Sequence, residues 1–551
     1  MAVARVATAV ARFALSNPLW AALLALVTAL LLYVVANEFV RAQARIKGLP
    51  GPRGLPLVGN LWDLHGVDAA EQYRVWAARF GDVYQVQLGN VAVVVVNSAA
   101  AARTVFGHGS QALSSRPEFY TFHRVLSDTA GTTIGTSPYS DSLKRRRKAA
   151  ASALNRPSVA GYTGHLDVET RDFVAELASC GEAGAVAIDP MPMIQRLSLS
   201  LSVTLNWGVR GPSRRDGLFD EITHVEEEIS RFRSTTGNLQ DYIPLLRLNP
   251  FAGHSARARE MRDRRDAYLL ELDEGLQERI DAGTHAPCIQ ANVILEDRAD
   301  NKDDTRCRLS KAELTSISLT MLSGGLDTIT TNVAWFIALL ARRPDIQEKA
   351  WLEIQRHSKL QSQQQGPEQG ADSTLSPLCD AEDDQQCRYI VALVRESLRY
   401  YTVLRLALPR ASVRDVVHEG VVIPRGTVFF LNAWACNMDP SVWPDPEVFR
   451  PERWLEQPDA PLFTYGVGYR MCAGSLLANR ELYLLYMRLI ASFTLKPATT
   501  GPSGSHDLDC HPVLGNSDPT SLVAIPRPYE VFFVPRDRKS LGAALEGQRW
   551  A

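Results

Sequence analysis

The sequence predicts a mainly α-helical body with small β-sheets, carried on a single N-terminal membrane-spanning helix. Three observations predict it: an uncharged apolar stretch near the N-terminus, two β-branched runs split by Gly89-Asn90, and amphipathic helical text from about 140 to 350. Its 551 residues, 46% of them hydrophobic, can bury a large core. A formal net charge of −2 lacks the basic excess that nucleic-acid binding needs, so no nucleic-acid partner is expected. The eight cysteines include no C-x-x-C pair, which points away from a zinc site or a disulfide scaffold and towards reduced, cytosol-facing thiols.

No charged residue lies between Arg12 and Glu38, an interval that contains PLWAALLALVTALLLYVVA. That interval meets the roughly 20 apolar residues needed to cross a bilayer as a helix. It is longer than the apolar region of a usual signal peptide, and the cysteines do not look secreted, so a membrane span is preferred to a cleaved leader. Arg41, Arg45, Lys47 and Arg53 follow the span while only Arg5 and Arg12 precede it, which places the body on the cytosolic side. Residues 1–37 are therefore expected to form the anchor, 38–60 a Pro/Gly-rich hinge around KGLPGPRGLPLVGN, and 61–551 the main domain.

Beyond the hinge, VYQVQLGNVAVVVV (83–96) has the turn chemistry of a hairpin and predicts a small sheet. Stretches such as FDEITHVEEEISRFRSTTG carry apolar residues at mixed three and four spacing and predict long helices. HSKLQSQQQGPEQGADSTLSP (357–377) is polar and aperiodic and reads as a solvent loop. No repeat of 20 to 50 residues is visible, which excludes solenoids and propellers.

YGVGYRMCAG (465–474) sets one cysteine among glycines. A thiolate is a strong soft metal ligand, but near neutral pH it is held as the thiol unless a metal and local donors help it. Gly466 and Gly468 permit positive φ and a tight reversal that can turn N–H groups towards the Cys472 sulfur. Gly474 removes a Cβ where a flat ligand would lie. SLLANRELYLLYMRLIASF then reads as a helix whose positive end favours an anion. A lone cysteine before a helix is ordinarily structural, but this stretch resembles the haem-ligand loop of cytochromes P450, Phe-Gly-x-Gly-x-Arg-x-Cys-x-Gly. Arg470 and Cys472 are in register, and Tyr465 stands where that family usually has Phe.

Three more stretches resemble the same family in the right order. RESLRYY supplies Glu396 and Arg399, and DPEVFRPERW supplies Arg453. Each alone is an ordinary ion pair, but together they resemble a Glu-Arg-Arg cluster that holds the ligand loop. LTMLSGGLDTITT (319–331) interrupts an apolar helix with Gly324-Gly325, at a cost of about 1 kcal/mol each relative to Ala. Alone it fits a kinked core helix. It resembles the family's distal-helix motif, which opens room for dioxygen and substrate beside Gly324 and Gly325 and makes Asp327 and Thr328 the proton-delivering pair, with Ile329 in place of a second Thr. SPYSDSLKRRRKAA (137–150) resembles the helix that contacts a haem propionate through Trp-x-x-x-Arg. Leu143 occupies the Trp position and Arg147 the Arg position, and Arg410 stands where a further propionate donor is often found. The rest of the basic run is either a solvated face or a docking face for an acidic reductase.

The resemblance implies the cytochrome P450 fold, haem b with its iron on Cys472, and Arg147, Arg410, Arg470, Gly468 and Gly474 against the cofactor. It also implies O2 as co-substrate, NADPH as the electron source through NADPH-cytochrome P450 reductase, and a single-pass enzyme of the endoplasmic reticulum membrane. GLPGPRGLPLVGN, TTIGTSPYSDSLKRRRKAA, DYIPLLRLNPF and FTYGVGYRMCAGS are similar to the fungal phenylacetate hydroxylase group. That similarity implies oxidation of a small aryl acid, phenylacetate to 2-hydroxyphenylacetate on the homogentisate route. The alternatives are 6-hydroxylation of 3-hydroxyphenylacetate, a tailoring step in secondary metabolism, or a P450-fold haem protein without oxygenase activity. Arg405, a cation in the apolar run TVLRLALPR, is expected either to clamp the substrate carboxylate, or to serve as a propionate contact or an ion pair. Arg116 and Arg124 are weaker candidates for the clamp.

Overall fold

The computed structural model describes residues 18–127, 132–248, 253–300, 308–364, 376–498 and 508–546. Arg5, Arg12 and the stretch 365–375 lie outside them. An apolar helix runs over Pro18–Ala44, and its most apolar 18-residue window, with mean hydropathy 2.5 and none of it buried, suits lipid contact. It passes the expected 37/38 boundary because its last two turns dock on the body. Buried Arg41 donates to the carbonyls of Gly89 (2.9 Å) and Leu55 (3.2 Å) and pairs with Glu38, while Asn90 donates to Asn37 at 2.7 Å. The Pro/Gly segment therefore begins after Ala44. It is pinned by the Gln85 amide, which accepts from Ile46 N and donates to the carbonyls of Ile46 and Leu49.

The hairpin forms as expected, with β1 (Val83–Leu88) and β2 (Val91–Val96) antiparallel across Gly89-Asn90. The chain later adds β3 (Arg410–Ala411), the small hairpin β4 (Val416–His418) with β5 (Val421–Ile423), and β6 (Val428–Leu431). The main sheet has the order β1-β2-β6-β3, with β6 parallel to β2. A separate pair, β7 (Phe493–Pro497) and β8 (Val531–Pro535), closes the C-terminal side.

Helix dominates the middle. The central helix Lys311–Arg342 starts at a capping box between Ser310 and Glu313 and continues without a break through Gly324-Gly325. It is long and apolar enough to cross a membrane, yet its most apolar window is 72% buried, so it is a core helix. Trp335, Phe336, Ile337 and Leu340 on it are fully enclosed, and it packs along the helix Met191–Trp207. The helix Gly217–Phe232 touches it and packs on the helix Gly253–Asp281. The expected loop at 357–377 is helical up to Gln364, within Pro344–Gln364, because the His357 ring is held by Asp383 at 2.9 Å.

Candidate active site

The glycines around Cys472 do separate jobs. Gly466 (φ +73°) turns the chain so that its N–H reaches Phe463 O at 2.8 Å, and the next turn brings Cys472 N to Tyr465 O at 2.9 Å. Gly474 caps the helix Ser475–Ser492, and its N–H is aimed at the sulfur. The Cys472 side chain keeps accessible surface although protein surrounds it more widely, so it lines an internal face. Burial pushes its thiol up, while the Gly474 N–H and the charge of Arg147 pull it down. A Cβ on Gly474 would come 4.0 Å from the sulfur. Gly468 also lets the loop pack closely: a Cβ there would come 2.4 Å from Phe106 O and 2.6 Å from Ser110 Cβ. The hydroxyl of Tyr465 donates to Asn479 Oδ1 at 3.0 Å, which satisfies the extra polar atom.

Four arginines converge beside this loop. Arg470 donates to the carbonyls of Ser114, Ile134, Gly135 and Ser137, and Arg116 to those of Gly135, Leu408 and Pro409. Arg410 donates to Val467 O, and Arg147 reaches Met471 O at 3.4 Å. Burial and mutual repulsion lower Arg470 to about 9 and Arg410 to about 10. Among the described residues no carboxylate pairs with any of the four, and Arg410 Nη1 and Arg470 Nε are buried without a partner. Uncompensated cations at this density suit a dianion, as the two propionates of haem provide. Together with the thiol and the open side of Gly474, the donor set fits the cofactor. Leu143, in the place of the usual Trp, is fully buried.

On the central helix the Thr328 hydroxyl donates to Gly324 O at 2.7 Å. A Cβ on Gly324 would meet nothing within 4 Å, so open space lies beside it, whereas a Cβ on Gly325 would come 2.5 Å from Ser202 Oγ. Gly325 thus lets the central helix pack closely on the helix Met191–Trp207. Asp327 accepts from Arg233 Nη2 at 2.7 Å, and burial pushes its carboxyl up to about 6 against the pull of Arg233.

Glu396, Arg399 and Arg453 form one buried cluster. Glu396 is wholly enclosed and accepts from Arg399 Nε (2.9 Å) and Nη2 (2.8 Å), Arg453 Nε (3.1 Å), Trp454 Nε1 (3.0 Å) and Arg450 N (2.8 Å). Arg399 and Arg453 spend their remaining N–H groups on carbonyls of the 437–448 meander, so the trio fixes the segment that leads into the thiolate loop.

Arg405 is not the substrate clamp. Its Nη1 pairs with Asp68 and its Nη2 donates to Pro512 O, so both terminal nitrogens are spent in a buried ion pair. Asp68 in turn caps the helix Ala69–Phe80. Arg124 pairs with Glu118 at 3.2 Å on the surface. Sequence reasoning missed Arg233, Asn479 and Trp454. Only Trp454, directly after Arg453, carried a local signal.

A thiolate loop, a propionate-suited cation cluster and a Gly-Gly-x-Asp-Thr helix together define a haem-thiolate site. The cytochrome P450 family model matches residues 49–517, and the chain belongs to that family as a cytochrome P450 monooxygenase. It is 65% identical over 515 residues to a 3-hydroxyphenylacetate 6-hydroxylase of Emericella nidulans, covering 94% of each chain. It is 41% identical to a phenylacetate 2-hydroxylase of the same organism, covering 92% of this chain and 94% of that one. A cytochrome P450 monooxygenase of Mycosarcoma maydis is 39% identical over 511 residues.

Proposed function

We propose that this monooxygenase hydroxylates a small arylacetic acid on the ring carbon next to the acetate arm. The observation that carries the reading is the likeness, over more than nine-tenths of the chain, to two enzymes whose names describe that same regiochemistry. Position 2 of phenylacetate and position 6 of 3-hydroxyphenylacetate are both ortho to the side chain. Phenylacetate to 2-hydroxyphenylacetate is the reading already suggested by the sequence. The 65% relative favours a second, 6-hydroxylation of 3-hydroxyphenylacetate.

Haem b, when bound through Cys472, supplies the oxidation of an unactivated ring carbon, with O2 as oxidant and electrons from NADPH through NADPH-cytochrome P450 reductase. Arg147, Arg410 and Arg470 would hold its propionates, and the exposed part of Lys144–Lys148 would meet the acidic reductase. Thr328 and Asp327 pass protons on the substrate side: the Thr328 hydroxyl donates to Gly324 O and keeps lone pairs that can accept, and a carboxyl near pH 6 exchanges readily at neutral pH. The apolar N-terminal helix would hold the enzyme in the endoplasmic reticulum membrane as a single span, with the body in the cytosol.

The test is turnover of both acids by purified enzyme with reductase and NADPH, with products resolved by position. Ortho product from at least one acid supports the reading, and the ratio of kcat/KM values decides between them. A site that hydrogen-bonds the meta hydroxyl would reject phenylacetate strongly. Meta or para product would refute the regiochemistry, and no product from a haem-loaded enzyme would favour a non-oxygenase role.

A further inference from the structure

An arylacetic acid brings a carboxylate into an apolar site, and a buried carboxylate needs a cationic partner. The cations named from sequence are committed elsewhere: Arg405 to Asp68 and Pro512 O, Arg116 to three carbonyls, and Arg124 to Glu118 at the surface. The structure brings a different arginine to the distal centre. Arg233 caps the C-terminal end of the helix Gly217–Phe232 and reaches Asp327, the residue before Thr328. Its side chain is only 10% exposed. Nη2 alone has a hydrogen-bond partner among the described residues, and Nε is buried with none. Nε and Nη1 are therefore unspent, but both bidentate edges of the guanidinium, Nε–Nη2 and Nη1–Nη2, include the nitrogen on Asp327, so an acid takes the fork only in Asp327's place.

We infer that Arg233 is the carboxylate anchor for the substrate, taking over the acid group that Asp327 otherwise supplies. The inference rests on the arylacetic-acid reading above. The anchor caps one helix and reaches Asp327 on another, three residues beyond Gly324, whose side is open. Exchange is favoured by the surroundings. Glu226, held by Tyr268 and Ser323, adds a second carboxylate near Asp327, and burial already pushes the Asp327 carboxyl up to about 6. Asp327 can release Arg233 by taking a proton. Arg405 has no such freedom, because Asp68 is fixed by its capping bonds to Ala70 N and Glu71 N.

The test is a set of spectral binding titrations of purified holoenzyme, wild type and Arg233→Gln, with 3-hydroxyphenylacetate, phenylacetate and the uncharged amide of each. The wild type is expected to prefer the acids. Arg233→Gln should weaken acid binding by about ten- to a hundredfold, the range for one charge-assisted contact, and leave amide binding within about twofold. Arg233→Lys should recover part of the acid preference. Equal losses for acid and amide would show a merely structural role, and an unchanged acid preference would place the anchor elsewhere; either result overturns the inference. If Arg233→Gln fails to retain haem, the double variant Arg233→Gln/Asp327→Asn removes both charges and must show the same loss of acid preference. A wild type that binds no acid, or binds acid and amide alike, sinks the arylacetic-acid reading itself. Retained preference in the variants sinks only the role of Arg233.

Discussion

Replacing Gly468 by Ala tests what the glycines of the thiolate loop are for. Gly468 has φ +69°, and a Cβ there would lie 2.4 Å from the carbonyl oxygen of Phe106 and 2.6 Å from Ser110 Cβ. The left-handed conformation costs a residue with a Cβ about 1–2 kcal/mol. Overpacking adds about 1–3 kcal/mol, and the first obstacle is backbone, which cannot swing aside as a side chain would. The sum, about 2–5 kcal/mol, falls two residues before Arg470 and four before Cys472, so it should appear as lost cofactor retention. The assay is haem per chain together with the reduced carbon-monoxide spectrum, read along a urea series. Gly324→Ala is the control: its Cβ meets nothing within 4 Å, and alanine favours a helix interior by about 0.5–1 kcal/mol, so haem content should hold. Wild-type haem content and an unchanged urea response in Gly468→Ala would refute the packing account.

Two further outcomes follow from buried polar groups behind the loop. Glu481 is 6% exposed, and burial pushes its carboxyl from the ordinary 4.5 up to about 8. The folded state keeps a proton that the unfolded chain has lost, so the wild type should lose stability as pH rises from about 4.5 to about 8, by the order of a few kcal/mol. Glu481→Gln should flatten that slope in denaturation midpoints taken at several pH values, and an equal slope would exclude Glu481 as its source. Tyr465→Phe removes one neutral hydrogen bond to Asn479, 3.0 Å long, and should lower stability by about 0.5–1.5 kcal/mol without displacing the haem spectrum. A shifted spectrum would show that the hydroxyl acts on the thiolate directly.

The parts of the site that were legible in the sequence are those whose chemistry is local. Cys472 and its glycines lie within one turn-rich run, Asp327 and Thr328 are neighbours on one helix, and Glu396 and Arg399 are three residues apart, so spacing alone sets their geometry. The hairpin at Gly89-Asn90 was legible for the same reason. What spacing cannot carry is pairing at a distance. Arg41 docks the N-terminal apolar helix on a carbonyl 48 residues away, so the Pro/Gly segment starts beyond Ala44 and not at 38.

Arg405 and Arg233 show the physical reason. An arginine in an apolar run looks like a cation waiting for a ligand, but a guanidinium that folds into a core must bring a partner with it, and Arg405 found Asp68 across 337 positions. The apolar surroundings that drew attention to Arg405 are what forced its neutralisation. Arg233 sits in the charged text SRFRS and carried no such signal, yet at a helix end it has, among the described residues, one hydrogen-bond partner, 94 positions away, and two nitrogens to spare. A buried cation can serve a ligand only where its resident partner can be neutralised without unfolding anything. Asp327, which burial already brings close to protonation at neutral pH, meets that condition, and Asp68, which caps a helix, does not.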